Sequence, residues 1–135
     1  MSNLNENMKL KWSLFTLRLG VFIVFFMWTL DKFVNPGHAA AVFKKFYLVD
    51  GLASNATYII GSVQLLVVMC FLFGIKKRIT YGTILFLHSI STISTWEKYI
   101  DPWGPKNLLF FAAIPMLAAI FTLYNLRDLD DLFTF

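Results

Sequence analysis

Residues 12–30 read WSLFTLRLGVFIVFFMWTL, an apolar run interrupted by one charge, Arg18. As a helix it covers roughly 28 Å, close to the ~30 Å of a bilayer's hydrocarbon core. Three more stretches satisfy the same length requirement, Ala56 to Ile75, Ile79 to Trp96, and Leu108 to Leu126. Charges or helix breakers bound them. Asp31, Lys32, Asn35, Pro36 and Gly37 close the first, Glu97 and Lys98 close the third, and Asp101, Pro102, Gly104 and Pro105 form the turn into the fourth. The expected fold is an all-α membrane protein, one four-transmembrane-helix bundle over residues 1–135. In the long first connection, Ala39 to Val49 sets apolar residues around Lys44 and Lys45, as in a short helix lying in the interface.

Composition agrees with this reading. Of 135 residues 58% are hydrophobic and only 15% charged, and the mean hydropathy is +0.65. Lipid is the expected solvent, and no length remains for a separate catalytic domain. The net charge of +4 is scattered over the borders of the apolar runs and forms no basic stripe, so nucleic acid is not an expected partner. One cysteine, Cys70, rules out an internal disulfide and a dithiol relay within the chain. Lys9 and Lys11 ahead of an apolar run mimic a signal peptide, with Ala39 to Ala41 as a conceivable cleavage site. The run is too long for that, it contains Arg18, and Asp31, Lys32 and Pro36 separate it from the alanines.

Lys76, Lys77 and Arg78 fill the tightest connection, which orients it, and with it both termini, toward the cytoplasm. Sequence position then converts to depth. Arg18 lies roughly 9 Å above the inner border, His88 roughly 14 Å and Gln64 roughly 17 Å. A charge at that depth is costly unless it faces protein or water, so Arg18 is expected to point into the bundle, with Gln64 and His88 as its natural partners. His88, Ser91, Thr92, Thr95 and Trp96 recur at helical spacing and climb outward toward Lys32 and Asn107. Lys32 shares the face of Arg18 if the first helix runs that far, while Asp31 points elsewhere. Pro115, near mid-depth in the fourth span, frees a carbonyl. These positions outline a polar cleft open outward and closed inward by Arg18. Its expected ligand-binding set is Arg18, Lys32, Gln64, His88, Thr92, Thr95, Trp96 and Asn107, with His88 the candidate for proton transfer.

Plainer roles stand beside these. Serine and threonine in such helices commonly bond their own backbone, and His88 can serve as an interhelical hydrogen bonder. Arg18 can snorkel to headgroups. A bis-histidine haem lacks a second histidine at matching depth, since His38 belongs to the outer loop. Met27, Met69, Met116 and Cys70 lack metal-site spacing, so no metal is expected.

Arg18-Leu19-Gly20, then Trp28-Thr29-Leu30-Asp31-Lys32-Phe33-Val34-Asn35-Pro36, resembles the first helix of the DoxX family of small four-helix bacterial membrane proteins. Gly61-Ser62-Val63-Gln64 with Gly74 before a basic loop, and Asn107-Leu108 opening the last span, are similar to later blocks of that family. The likeness runs from about residue 14 to 126. Two positions depart from the family's pattern: Gln64 stands where an acid is frequent, and Ala112 and Ala113 where a glycine is. The resemblance implies a bundle in the bacterial inner membrane, linked to quinone-dependent sulfur oxidation or to membrane oxidoreductase complexes. What the resemblance implies, together with the donors Arg18, Gln64 and His88, makes a quinone or similar small redox molecule the leading ligand, bound by a subunit of an oxidoreductase complex whose partner holds the electron carrier. Alternatives are a non-catalytic assembly subunit and, more weakly, a small-solute carrier acting as a homo-oligomer.

Overall fold

A computed structural model describes residues 2–48, 50–51 and 54–135. The described chain is helical throughout: α1 (Ser2–Val34), α2 (Pro36–Tyr47), α3 (Ser54–Leu72), α4 (Lys77–Ser94), α5 (Trp96–Ile100), a 3-10 stretch Asn107–Ala112 running into α6 (Ala113–Asn125), and a 3-10 turn Arg127–Leu129. Three helical stretches, Ser2–Val34, Asn55–Leu72 and Asn107–Asn125, are long and apolar enough to cross a membrane. α4 has 18 residues but opens on Lys77 and Arg78 and carries His88 and several serines and threonines, which lower its hydropathy below that of the other three.

α1 packs against α3, α3 against α4, α4 against α6, and α6 back against α1, closing a ring of four helices. The inward stripe of α1 is Leu14, Arg18, Val21, Phe25 and Thr29, spaced by three and four residues so that one helical face carries all five. Val68 and Phe71 of α3, Tyr81 and Ile84 of α4, and Ile120 and Leu123 of α6 complete the core. The outward faces are also apolar, with Ile23, Met27, Val63, Leu66, Ile79, Phe86, Ile93 and Phe121 exposed.

Several boundaries differ from the sequence expectation. α1 continues through Asp31 and Lys32 to Val34, and Asn35 interrupts the helix with φ −131°. Pro36 then opens α2, a position that suits a residue without an N–H. The interfacial helix expected over 39–49 therefore begins three residues earlier and ends at Tyr47; Val49 lies outside the described residues. The third segment stops at Ser94, and Trp96 belongs to α5. The fourth starts as a 3-10 helix and becomes α-helical just before Pro115, so the missing N–H falls in a first turn, where no intrahelical partner is needed.

Two glycines permit close approaches. A Cβ on Gly61 would lie 3.1 Å from the Phe33 ring and 3.3 Å from Lys32 Cβ, so Gly61 lets α3 approach the outer end of α1. Gly74 has φ +66°, and a Cβ there would come within 2.6 Å of Thr134 Cγ2. The C-terminal tail lies against this turn, and Phe135 N–H donates to the Phe73 carbonyl at 2.9 Å. Gly74→Ala is expected to cost about 1–3 kcal/mol through backbone strain and the clash with Thr134. A lowered melting temperature in detergent, with faster proteolysis of the tail, is the expected result.

Candidate functional site

Two polar sites lie at opposite ends of the bundle. At the first, the C-terminal tail folds across the ends of the helices. Arg18, fully buried, donates from Nη1 to Asp130 Oδ1 at 2.5 Å and from Nη2 to the Leu132 carbonyl. The Tyr81 hydroxyl donates to the other carboxylate oxygen, Oδ2, at 2.6 Å, and Lys77 Nζ donates to the Asp130 carbonyl at 2.5 Å. The Arg18 guanidinium also stands 5.3 Å from the centroid of the Phe15 ring. Around this cluster, Lys11 pairs with Asp131 at 2.9 Å, and Phe133 sits with its ring centroid 4.9 Å from that of Phe15. The N-terminal part of α1 and the C-terminal tail thus meet at the same end.

This corrects the expected partners of Arg18. Neither Gln64 nor His88 touches it; a carboxylate from beyond the last helix does. Arg18 neither snorkels outward nor lines a cleft. With 0% of its side chain exposed and both ends of its guanidinium bonded, it is a structural clasp.

The second site lies roughly 21 Å farther along α1, at the level of Lys32. A cleft of about 400 Å³ is bounded by Phe25, Trp28, Asp31 and Lys32 of α1, Gln64 of α3, Leu87, His88, Ile90 and Ser91 of α4, and one face of α2. α2 contributes His38, Ala39, Val42, Phe43 and Tyr47, so the short helix forms one wall of the cleft. Asp31, expected to point elsewhere, belongs to the lining because α2 folds back beside it. Its Oδ2 is 2.5 Å from His38 Nδ1, and its Oδ1 accepts from Asn35 Nδ2 at 3.4 Å.

Of the eight expected ligand-binding residues, the structure gathers Lys32, Gln64 and His88 around this cleft. Gln64 Nε2 donates to Thr29 Oγ1 at 2.9 Å, and Thr29 in turn donates to the Phe25 carbonyl at 2.7 Å. His88 Nε2 lies 3.0 Å from the Ala113 carbonyl, which can only accept, so Nε2 carries the hydrogen and Nδ1 of the neutral ring is an acceptor. Nδ1 is buried and has no hydrogen-bond partner among the described residues. The Trp28 ring stacks on His88 with centroids 6.0 Å apart and planes at 21°.

The other five lie elsewhere. Arg18 is in the clasp. Thr92 donates to the His88 carbonyl at 2.7 Å, and Thr95 donates to the Thr92 carbonyl at 3.0 Å, so both hydroxyls serve their own helix. Trp96 is turned away on α5 and is mostly exposed. Asn107 is buried and donates to the Asp101 carbonyl at 2.7 Å, tying the turn before the last helix.

The residues missed in the sequence are Asp130 and Tyr81 at the clasp and Trp28, Asp31 and His38 at the cleft. A signal for the clasp was present. The helical segments place no acid at the depth of Arg18, whereas the terminal run Asp128, Asp130, Asp131 supplies three within reach of a chain that doubles back. No family model, curated protein or solved structure matches the chain, so the two sites stand on their own geometry.

Asp130→Ala leaves a buried guanidinium unpaired and is expected to destabilise the bundle by about 3–5 kcal/mol. Arg18→Met combined with Asp130→Leu removes both charges and should restore most of that loss. Denaturant unfolding in detergent would show it; a single-variant cost below about 1 kcal/mol would mean that the pair does not hold the tail.

Proposed function

We propose that this chain is a four-span protein of the bacterial inner membrane, similar to the DoxX family, whose cleft binds the head group of a quinone or a comparable small redox-active molecule. Four crossings are supported by two features. The contact of Lys11 with Asp131 brings both ends of the chain together, which requires an even number of crossings. α4 turns His88 and Thr92 inward and leaves Ile79, Phe86 and Ile93 outward, as expected of a helix with lipid on one side only. The basic run at residues 76–78 favours both termini on the cytoplasmic side. In a background lacking Cys70, a cysteine at Lys106 should react with a membrane-impermeant maleimide in intact cells. A cysteine at Lys76 should react only after permeabilisation. Reaction of both from the same side would remove α4 as a crossing.

The observation that carries the ligand reading is the convergence of Lys32, Gln64 and His88 on one cleft whose remaining walls are largely aromatic and aliphatic. A quinone head group needs donors for its oxygens and flat apolar surfaces for its ring. Lys32 Nζ and the second N–H of Gln64 supply donors, Trp28, Phe25 and Phe43 supply surface, and His88 is the group able to exchange a proton. The sequence contains no electron-carrier motif, so the redox reaction is assigned to a partner subunit. His88→Ala and Gln64→Ala should each weaken binding of a quinone analogue by about tenfold, the size of one or two hydrogen bonds. The Arg18→Met, Asp130→Leu double variant should bind as the wild type does. Absence of saturable binding to the wild type would end this reading.

A second reading, a non-catalytic assembly subunit, is favoured by the clasp, where an internal charge is spent wholly on holding the bundle together. It expects partner recovery to fall with Asp130→Ala while small-molecule binding is absent throughout.

A further inference from the structure

Two adjacent residues of opposite charge, Asp31 and Lys32, line the cleft, and the structure treats them differently. Asp31 is engaged twice by residues of the connection that follows it, through His38 Nδ1 at 2.5 Å and Asn35 Nδ2 at 3.4 Å. Lys32 forms no ion pair among the described residues. Its Nζ reaches the carbonyl of Trp28 at 3.5 Å, too long for a strong hydrogen bond. The other acids of this end are used elsewhere or stand apart: Asp50 pairs with Lys44 at 3.7 Å, and Asp101 and Glu97 are exposed beyond α4 and take no part in the lining. The cleft therefore presents a half-buried ammonium with no ion-pair partner among the described residues, since Asp31, the carboxylate of the same wall, is bonded to His38 and Asn35 instead. Its apolar surroundings, Phe25, Trp28, Val42 and Phe43, leave little water to solvate that charge.

We propose that Lys32 determines the charge of the occupant: the cleft selects amphiphiles whose head group carries an ionised oxygen over uncharged molecules of the same shape. This rests on the reading of the cleft as a ligand site and adds the class of ligand to it. The ammonium donates to a neutral carbonyl as well, but an anionic oxygen adds ion pairing to that hydrogen bond, while the aromatic and aliphatic walls bind either kind of ring equally. Asp31 keeps its charge, but its oxygens are engaged by His38 and Asn35 and it forms no ion pair with Lys32, which leaves the ammonium as the group free to meet an anionic oxygen.

A matched pair of probes tests the proposal: a hydroxynaphthoquinone, whose hydroxyl is ionised at neutral pH, and the methylnaphthoquinone of the same ring system and nearly the same size. Binding to full-length protein in detergent or nanodiscs is followed by quenching of tryptophan fluorescence. Wild type should bind the ionised probe about tenfold or more tightly than the neutral one. Lys32→Met should bring the two affinities together by weakening the ionised probe far more than the neutral one, and Lys32→Arg, which keeps the charge, should retain the preference. Equal affinities in the wild type, or a preference that survives Lys32→Met, overturns the proposal while leaving the ligand cleft in place. No binding of either probe to the wild type overturns the cleft reading and the proposal together. Melting temperatures of the Met and Arg variants close to wild type confirm that each comparison is made on folded protein.

Discussion

The buried pair of Arg18 with Asp130 organises one end of this molecule. A guanidinium in an apolar interior is costly unless its N–H groups are bonded and its charge is balanced. Here the balance comes from a residue 112 positions away in the chain. To bring Asp130 to Arg18, the ten residues after α6 must turn back across the ends of α1, α3 and α4. Once there, they contact Lys11 and Phe15, Phe73 and Gly74, and Lys77 and Tyr81. The tail is thus part of the fold: it closes the bundle at the end where chain begins and finishes. Lys77, part of the basic run between α3 and α4, also serves the fold, since it supplies the donor to the Asp130 carbonyl.

With that end closed by charge pairing, the polar chemistry that remains is at the other. The cleft exists because α1 continues past its apolar segment to Val34, and the break at Asn35 folds α2 back over the ends of α1, α3 and α4. Gly61 contributes by letting α3 come close to Phe33 and Lys32, which sets Gln64 and Lys32 into the same lining. The two polar sites have opposite characters. In the clasp both carboxylate oxygens and both terminal nitrogens of the guanidinium are engaged, although Arg18 Nε is buried without a partner among the described residues. In the cleft an ammonium lacks a counter-ion and a histidine nitrogen lacks a partner among the described residues. Satisfied polar groups hold a structure together, whereas unsatisfied ones beside a cavity are what a ligand can complete. This contrast, more than the mere presence of polar residues within apolar helices, separates the structural arginine from the residues proposed to bind.

Much of this was readable in the chain. Apolar runs of bilayer length located four helical segments, and the burial cost of a charge correctly sent Arg18 inward, because both follow from the solvation of individual residues. Helical spacing grouped His88 with Thr92 on one buried face. Depth reckoning also brought Lys32, Gln64 and His88 toward a common outward-facing region. It failed on the partner of Arg18 because depth was assigned only to residues inside the spans; Asp130 reaches its level by reversal of the tail, which has no depth of its own in a linear reading. It failed on Asp31 because the angle on α1 was compared with Arg18 alone, while the wall it faces belongs to α2. Periodicity draws Thr92 and Thr95 into the cleft and depth draws in Asn107, yet their side chains bond to backbone a few residues away, a local competition that neither spacing nor depth reveals.

The sequence by itself determined the helical segments, their apolar character and the need for Arg18 to face into the bundle and find partners there, since each depends on the chemistry of a residue and its immediate neighbours along one helix. Which carboxylate answers that charge, and which polar groups are left to surround a cleft, were decided only by tertiary structure. Both depend on where the tail and α2 come to rest after the helices have packed, and distances between elements far apart in the chain are not encoded in the period of any one of them.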